Sequence, residues 1–562
     1  MTQLIFLLFL LAPDEFTNPP PSGGKLSEAQ AAFDTKQVSL VLEVFPEQKQ
    51  ISGYAELELF FPGEQPKILE LDLMESLKVS SVTTGNRSLD FRQDPAKLWV
   101  DLPPNLGKRA TFRVIYAGHP QEARRPPWEG GFNWSTTDAG QPWIGVSTQG
   151  YGGKLWFPCK AHPSDKIEGL RLQITVPQPL YCAANGQLEK MTLKPGKRRT
   201  FFWTYDEPIS NYNVSLNIAP YRIKEDSYKS VNGREFPLFF YFLTEYQKAD
   251  QVRGDSRSYD QKIADLIQQT KDYLAFFERH YGPYPFTTFK VAHTHYLGME
   301  HQTINSYGNH FVSDKRQGKD FLLFHEMAHE WWGNRVTVKD WADFWIHEGI
   351  GTYATPVWIE EQLGIEAART WFRDTARRGV ANRKPLVPGR DVNAKENYGG
   401  DIYYKGALVL HSLRYLLGKE KLNAILRTFA TDPAFLFPNH PTTQDFIALA
   451  EKETGRELDW FFDVYFKRAK PPKLEVTSEV DLLRFRWDHK DFAMPLEVEV
   501  VEEGQKRLEK VRFAGGRGEI EFKSGSTYKI DPHLWVYMEV VDKVQGGDAG
   551  QKKTREKEKK QP

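Results

Sequence analysis

The sequence predicts a multidomain α+β protein: an N-terminal antiparallel β domain, a mostly helical middle domain and a small C-terminal β-sandwich. Three observations carry that reading. The chain has 562 residues, against roughly 150 for a typical single core, so three or four domains are expected. Apolar and polar residues alternate with period two over the first third, give way to helical spacing, and alternate again after Pro471-Pro472. Turn residues punctuate both alternating regions.

Taken in order, MTQLIFLLFLLAPDEF begins with an almost wholly apolar stretch over residues 4–12. Its length suits the core of a secretory signal, although it lacks a basic leader and a clean small-residue cleavage site. Residues 1–30 are therefore read as a signal-like segment and linker, and export to a periplasm or medium is expected ahead of a cytoplasmic location. PDEFTNPPPSGG is the linker, because its prolines and glycines resist helix and sheet. Residues 31–225 form the first β domain, with QVSLVLEVF, GYAELELFF, ATFRVIYAG and LRLQITV as strands. Residues 226–470 carry helical patterns such as DQKIADLIQQTKDYLAFFERHYG, DFLLFHEMAHEWWGN, DFWIHEGIGTYATPVWIEEQLG and GALVLHSLRYLLG, with FTTFKVAHTHY as a strand between the first two. Residues 471–541 return to short strands, and residues 542–562 read as a solvated, disordered charged tail.

Composition excludes several classes. Hydrophobic residues make up 40% and aromatics 14% of the chain, enough to bury large cores and too much for a mostly disordered protein. Lys+Arg minus Asp+Glu is 74 − 74 = 0. A neutral chain lacks the broad basic field of a generic nucleic-acid binder, so nucleic acid is not an expected partner. Two cysteines, Cys159 and Cys182, are too few for a disulfide-rich scaffold or a four-cysteine zinc site and are read as buried thiols. No apolar run reaches the roughly 18 residues needed to span a bilayer.

The strongest chemical signal is His325-Glu326-Met327-Ala328-His329. Residues four apart on a helix share a face, so both imidazoles can reach one ion. Glu326 falls one step round the helix, where it can hold a water beside the metal without being a ligand. A catalytic zinc needs a third protein ligand and an open fourth position. Glu348, separated from His329 by eighteen residues, falls on the next predicted helix and is the candidate. Asp343 is read as the cap of that helix.

HEMAHEWWGN followed by WADFWIHEGIGTY resembles the gluzincin zinc aminopeptidases, the family of aminopeptidase N and leukotriene-A hydrolase. Gly298-Met299-Glu300-His301 is similar to that family's G-x-M-E-N motif, and IYYKGALVLHSLR to its Y-x-K-G segment. ISNYNVSL and WFPC-x-x-HPSDK resemble landmarks of its first domain. The resemblance covers about residues 30–540. It implies a thermolysin-like catalytic domain, one zinc ion, and peptides with a free N-terminus as substrates. It also implies roles. His325, His329 and Glu348 hold the metal. Glu326 is the general base and Tyr403 the donor to the developing oxyanion, with Tyr404 the competitor if the alignment slips by one. Glu300, beside Gly298 and Met299, pairs with the substrate ammonium, while Gln149 and Tyr398 contact substrate or oxyanion. Another hydrolase on the same scaffold (an endopeptidase or an epoxide hydrolase) and a non-catalytic peptide-binding relative are the alternatives.

Three departures stand out. Leu297 replaces a common glycine. His301 replaces the usual asparagine, as a structural hydrogen-bonding residue whose imidazole could titrate near neutral pH. STQGYGG keeps Gln149 of a T-Q-x-E segment but lacks the glutamate, so that Tyr151 or nothing takes its place. His295, His347 and His411 are read as satisfied histidines, and Trp331, Trp332, Trp341 and Trp345 mostly as core.

Overall fold

The computed structural model describes residues 19–479 and 481–544. The apolar start and the Lys-rich end of the chain lie outside these residues. The chain forms two compact units. The first runs to Gly351 and includes Gly389–Gly399 and Arg427–Thr442. The second comprises Thr352–Pro388, Gly400–Leu426 and the chain from Thr443.

In the first unit, alternating sequence becomes alternating burial. Along the Asp34–Phe45 strand, Val38, Leu40, Leu42 and Val44 are buried while their neighbours are half-exposed, as a one-sided sheet requires. This strand lies near the middle of an eight-stranded sheet. It runs antiparallel to Gln50–Phe60. Its pairing with Gly169–Pro177 is parallel, a departure from the wholly antiparallel expectation that period-two patterning cannot reveal. A five-stranded sheet follows, in the order Tyr221–Lys229, Glu235–Leu243, Phe289–His293, Asn305–Tyr307 and Gly298–Met299. The last of these is an edge strand, antiparallel to Asn305–Tyr307.

Helix α1 (Tyr259–Tyr281) begins at a capping box between Ser258 and Gln261, and α2 (Phe321–Ala328) begins at Asp320. Asp320 accepts from the amides of Leu322 and Leu323 and, through its other oxygen, from the Tyr307 hydroxyl at 2.7 Å. One buried carboxylate thus caps the helix and ties it to the sheet. The helical pattern that continues to Asn334 in the sequence ends at Ala328, giving way to turns in which the Trp331 and Trp332 amides bond to the Ala328 carbonyl. Helix α3 (Trp345–Leu363) contains the boundary between the units.

The end of the proline-glycine segment is not a loose linker. Ser22 is buried, its amide donates to the Gly150 carbonyl, and its hydroxyl accepts from the Trp341 indole at 3.2 Å. Gly23 has φ +86°, and a Cβ there would stand 2.5 Å from the Trp341 ring, so only glycine fits. Trp331, Trp332, Trp341 and Trp345 are all fully buried.

The second unit contains α4 (Gly400–Leu417), further helices such as Thr443–Thr454 and Asp459–Phe466, and the two C-terminal sheets, one of four strands and one of three. Both cysteines, in the first unit, are buried free thiols. No helix among the described residues is long and apolar enough to cross a membrane.

Candidate metal and substrate site

His325 lies in the last turn of α2, and His329 follows its end with helical dihedrals (φ −66°, ψ −17°). The two therefore keep the four-residue spacing although the helix proper stops between them. Glu348 sits in the first turn of α3. The His325 and His329 Nε2 atoms are 3.2 Å apart, and they lie 3.4 and 3.3 Å from Glu348 Oε2. That oxygen is buried without a hydrogen-bond partner among the described residues. In a tetrahedral site with 2.0–2.1 Å bonds, ligand atoms stand about 3.3–3.4 Å apart, and the three measured edges match. His329 Nδ1 lies 2.8 Å from the Trp332 carbonyl, which can only accept. Nδ1 therefore carries a proton, which leaves Nε2 as the nitrogen a cation would take in place of a proton. The donor set fits one divalent metal ion.

Glu300 and Glu326 close the other side of His329, their oxygens lying within 4.8 Å of its ring nitrogen and of each other. Glu300 follows the edge strand Gly298–Met299. Gly298 is needed for closeness: a Cβ there would stand 2.6 Å from Glu326 Oε1. Gln149 donates from Nε2 to Glu300 Oε1 at 2.6 Å and to Glu348 Oε1 at 3.2 Å, linking the two carboxylates. Burial pushes the carboxyls of Glu300 and Glu326 up, and their negative neighbours add to it against the opposing His329. Burial alone would lower His329, but Glu348 first, then Glu300 and Glu326, raise it to about 10. Burial would raise Glu348, but the two imidazoles hold it well below the usual carboxylate range. Three buried carboxylates thus converge on two imidazoles, a field that favours positive guests.

Four residues that brace this site, Tyr212, Asn213, Asn334 and Lys166, are not marked as site residues by the sequence. The Tyr212 hydroxyl donates to Glu300 Oε1 at 3.1 Å. Asn334 donates to the Glu300 carbonyl at 3.0 Å and accepts from Asn213 at 2.7 Å. Buried Lys166 donates to the Asn334 carbonyl at 2.7 Å and to Thr337 at 2.9 Å. Tyr212 and Asn213 belong to ISNYNVSL, and Lys166 ends HPSDK. Those landmarks were the available signal, and their role is to hold the site from behind.

The remaining expected residues are placed differently. Tyr151 does not replace the missing glutamate: it is buried with Met74 and Leu155 in an apolar cluster against which Tyr398 packs. Tyr398 also meets Trp341, ring centroids 5.8 Å apart. Tyr403 is buried in the first turn and a half of α4, in the second unit. Its neighbour Tyr404 packs against Gly379, where a Cβ would stand 2.3 Å from its ring. Asp343 precedes α3 and pairs with Arg390 at 2.5 Å. His301 is fully buried, 3.1 Å from the Ser306 hydroxyl, and burial lowers its pKa to about 3. It stays neutral rather than titrating near pH 7.

The constellation defines a candidate metal centre, in which two imidazoles at the end of α2 meet a carboxylate from the start of α3. Residues 266–465, a little over a third of the chain, match the Peptidase family M1 domain. Aminopeptidase M1-B of Oryza sativa subsp. japonica is 24% identical over 335 residues, 56% of this chain and 36% of that protein. Aminopeptidase N of Streptomyces lividans is 23% identical over 295 residues, 49% of this chain and 32% of that protein. The chain thus spans about a third of the length of these curated relatives. Among solved structures, the M1 zinc metallopeptidase of Deinococcus radiodurans aligns with TM-score 0.64 at 24% identity over 80% of this chain and 96% of that one. Legionella pneumophila aminopeptidase A aligns with TM-score 0.71 at 17% identity over 91% and 60%.

Proposed function

We propose that the protein is a zinc aminopeptidase that removes residues from the free N-terminus of peptides. The observation that carries this reading is the charge balance of the site. Fully ionised, Glu300, Glu326 and Glu348 bring −3, which a divalent ion and a substrate ammonium, at +2 and +1, would bring to zero with both imidazoles neutral. A buried cluster of three carboxylates is costly until such guests enter. His325, His329 and Glu348 would hold the zinc, which when bound polarises a scissile carbonyl and acidifies water. Glu326 accepts the proton of the attacking water and returns it to the leaving amine. Glu300, positioned by Gln149 and Tyr212, pairs with the ammonium. An internal or blocked peptide has no ammonium and leaves Glu300 buried and unpaired, which disfavours it. Tyr403 is assigned as the donor to the developing oxyanion on the family motif, and the packing of Tyr404 against Gly379 favours Tyr403 over its neighbour. The named relatives are aminopeptidases, and a mutant of the Deinococcus enzyme is described as bound to the substrate Tyr-Ser-Ala.

The test is an assay of the zinc-loaded full chain on aminoacyl-anilides and their N-acetyl counterparts. The expected result is hydrolysis of the free amines only, abolished by a chelator and restored by zinc. Equal cleavage of both series would sink the exopeptidase reading in favour of an endopeptidase.

A further inference from the structure

A second pair of imidazoles meets a carboxylate elsewhere in the first unit. Asp250 ends a single 3-10 turn (Lys248–Asp250), His293 ends the Phe289–His293 strand, and His310 lies in the segment between Asn305–Tyr307 and α2. Asp250 Oδ1 is 3.3 Å from His293 Nε2 and accepts a hydrogen bond from His310 Nδ1 at 2.9 Å. One ligand atom from each of the three residues lies within 4.8 Å of the other two.

His293 is fully buried, and neither ring nitrogen has a hydrogen-bond partner among the described residues. Its 3.3 Å approach to Asp250 lacks hydrogen-bond alignment. A neutral imidazole must carry one N–H and one lone pair, and an interior site normally satisfies both. The surroundings offer no substitute. Trp143, Phe242, Phe311 and Tyr307 ring His293 with centroids at 5.0, 5.6, 6.1 and 6.4 Å. His295, on the same Trp143 face, also leaves a buried Nδ1 without a partner among the described residues.

The backbone is held in place against its preference. His310 and Phe311 are consecutive non-glycine residues with φ of 52° and 59°, a conformation that persists only where surrounding contacts enforce it and that clusters at ligand clamps. Lys262, the nearby cation, bonds the Asp250 backbone carbonyl at 2.8 Å and pairs with Asp255 at 3.4 Å. The Asp250 carboxylate is left facing the imidazoles.

We propose that Asp250 Oδ1, His293 Nε2 and His310 Nδ1 bind a second divalent first-row transition metal ion, which clasps the segment leading into α2 to the central sheet. Two imidazoles and one carboxylate form the donor set that zinc and its neighbours favour, whereas calcium needs six or more oxygens. His310 is 26% exposed at its side chain and provides the entry side. The ion would take the place of the proton that His310 Nδ1 donates to Asp250, which passes to Nε2 or to solvent, lend the His293 lone pair its missing partner and hold the strained pair of residues.

The probe is zinc alone, bound to the full chain and measured by elemental analysis after desalting. Wild type is expected to hold two equivalents. His325→Ala, which removes a ligand of the site between α2 and α3, is expected to hold one. His310→Asn, a residue that tolerates positive φ, and Asp250→Asn are each expected to hold one, and the His325→Ala/His310→Asn pair none. With cobalt in place of zinc, the His325→Ala chain should show a visible absorption band that His310→Asn abolishes. A His325→Ala chain holding no zinc, or a second equivalent that survives both His310→Asn and Asp250→Asn, would overturn the proposal. One equivalent that survives His325→Ala and vanishes with His310→Asn would instead overturn the peptidase site, so the two readings fail separately.

Discussion

Two sets of two imidazoles and a carboxylate lie within the first unit, and they differ in how the chain assembles them. His325 and His329 flank the end of α2 and Glu348 lies in the first turn of α3, with three edges of 3.2–3.4 Å and further carboxylates alongside. Asp250, His293 and His310 come from a turn, a strand end and a loop, with aromatic rings for walls. The first set has a dense negative field suited to handling a charged substrate. The second has one carboxylate and a nearby lysine. The contrast separates a centre built for chemistry from one built to hold a fold, and the following measurements break or sharpen it.

The largest effect belongs to Glu326. Replacement by Gln keeps the shape of the side chain but removes the proposed base, and general acid–base catalysis contributes typically about 10²–10⁴-fold. The kcat of E326Q on aminoacyl-anilides should fall by that factor with the zinc content unchanged. Activity near wild type with metal bound would remove Glu326 from the reaction. Glu300 is next. Glu300→Ala removes the partner of the ammonium, and truncating one side of a buried charge pair costs on the order of 3 kcal/mol. Preference for free over N-acetylated substrate should fall about 100-fold, read from the ratio of kcat/KM values. An unchanged ratio would place amine recognition elsewhere.

A pH measurement compares this site with the interior around it. His301 has a folded pKa lowered by burial to about 3, below the roughly 6.5 of an unfolded chain. The unfolded state therefore binds the extra proton first. The stability His301 contributes is complete above pH 6.5 and is lost as pH falls from 6.5 towards 3. Between pH 6.5 and 4, wild type should lose on the order of 3 kcal/mol more than His301→Asn, measured by urea unfolding at each pH. Parallel losses in the two proteins would show that His301 is not kept neutral by the fold.

The two metal-type clusters also show what a sequence exposes. HExxH and the following glutamate are legible because helical periodicity places them: one local rule puts 325 beside 329, and one more helix supplies 348. The alternating burial of Val38, Leu40, Leu42 and Val44 was legible for the same reason. Asp250, His293 and His310 obey no short period. Their meeting is decided by how a turn and a loop close onto a strand end, and no propensity encodes that. His301 is the structural hydrogen-bonding residue that the sequence suggests, but its burial, which no motif shows, removes the titration near neutral pH that its identity allows. Tyr212 lies within the landmark ISNYNVSL, but nothing in its spacing shows that its hydroxyl reaches a carboxylate 88 residues away.

Tyr212 offers the smallest and most discriminating effect. Its hydroxyl shares Glu300 Oε1 with Gln149, and burial, reinforced by Glu300, pushes its pKa well up. It therefore remains a hydrogen-bond donor throughout the working pH range. Tyr212→Phe preserves the ring and removes one bond to the carboxylate, a loss of about 1 kcal/mol. If Tyr212 positions Glu300 rather than taking part in proton transfer, that loss appears as a roughly fivefold rise in KM for free-amine substrates. The kcat and the rate on blocked peptides stay unchanged. A fall in kcat with KM constant would mean that the hydroxyl acts on the transition state, moving Tyr212 from a support of the ammonium anchor into the reaction itself.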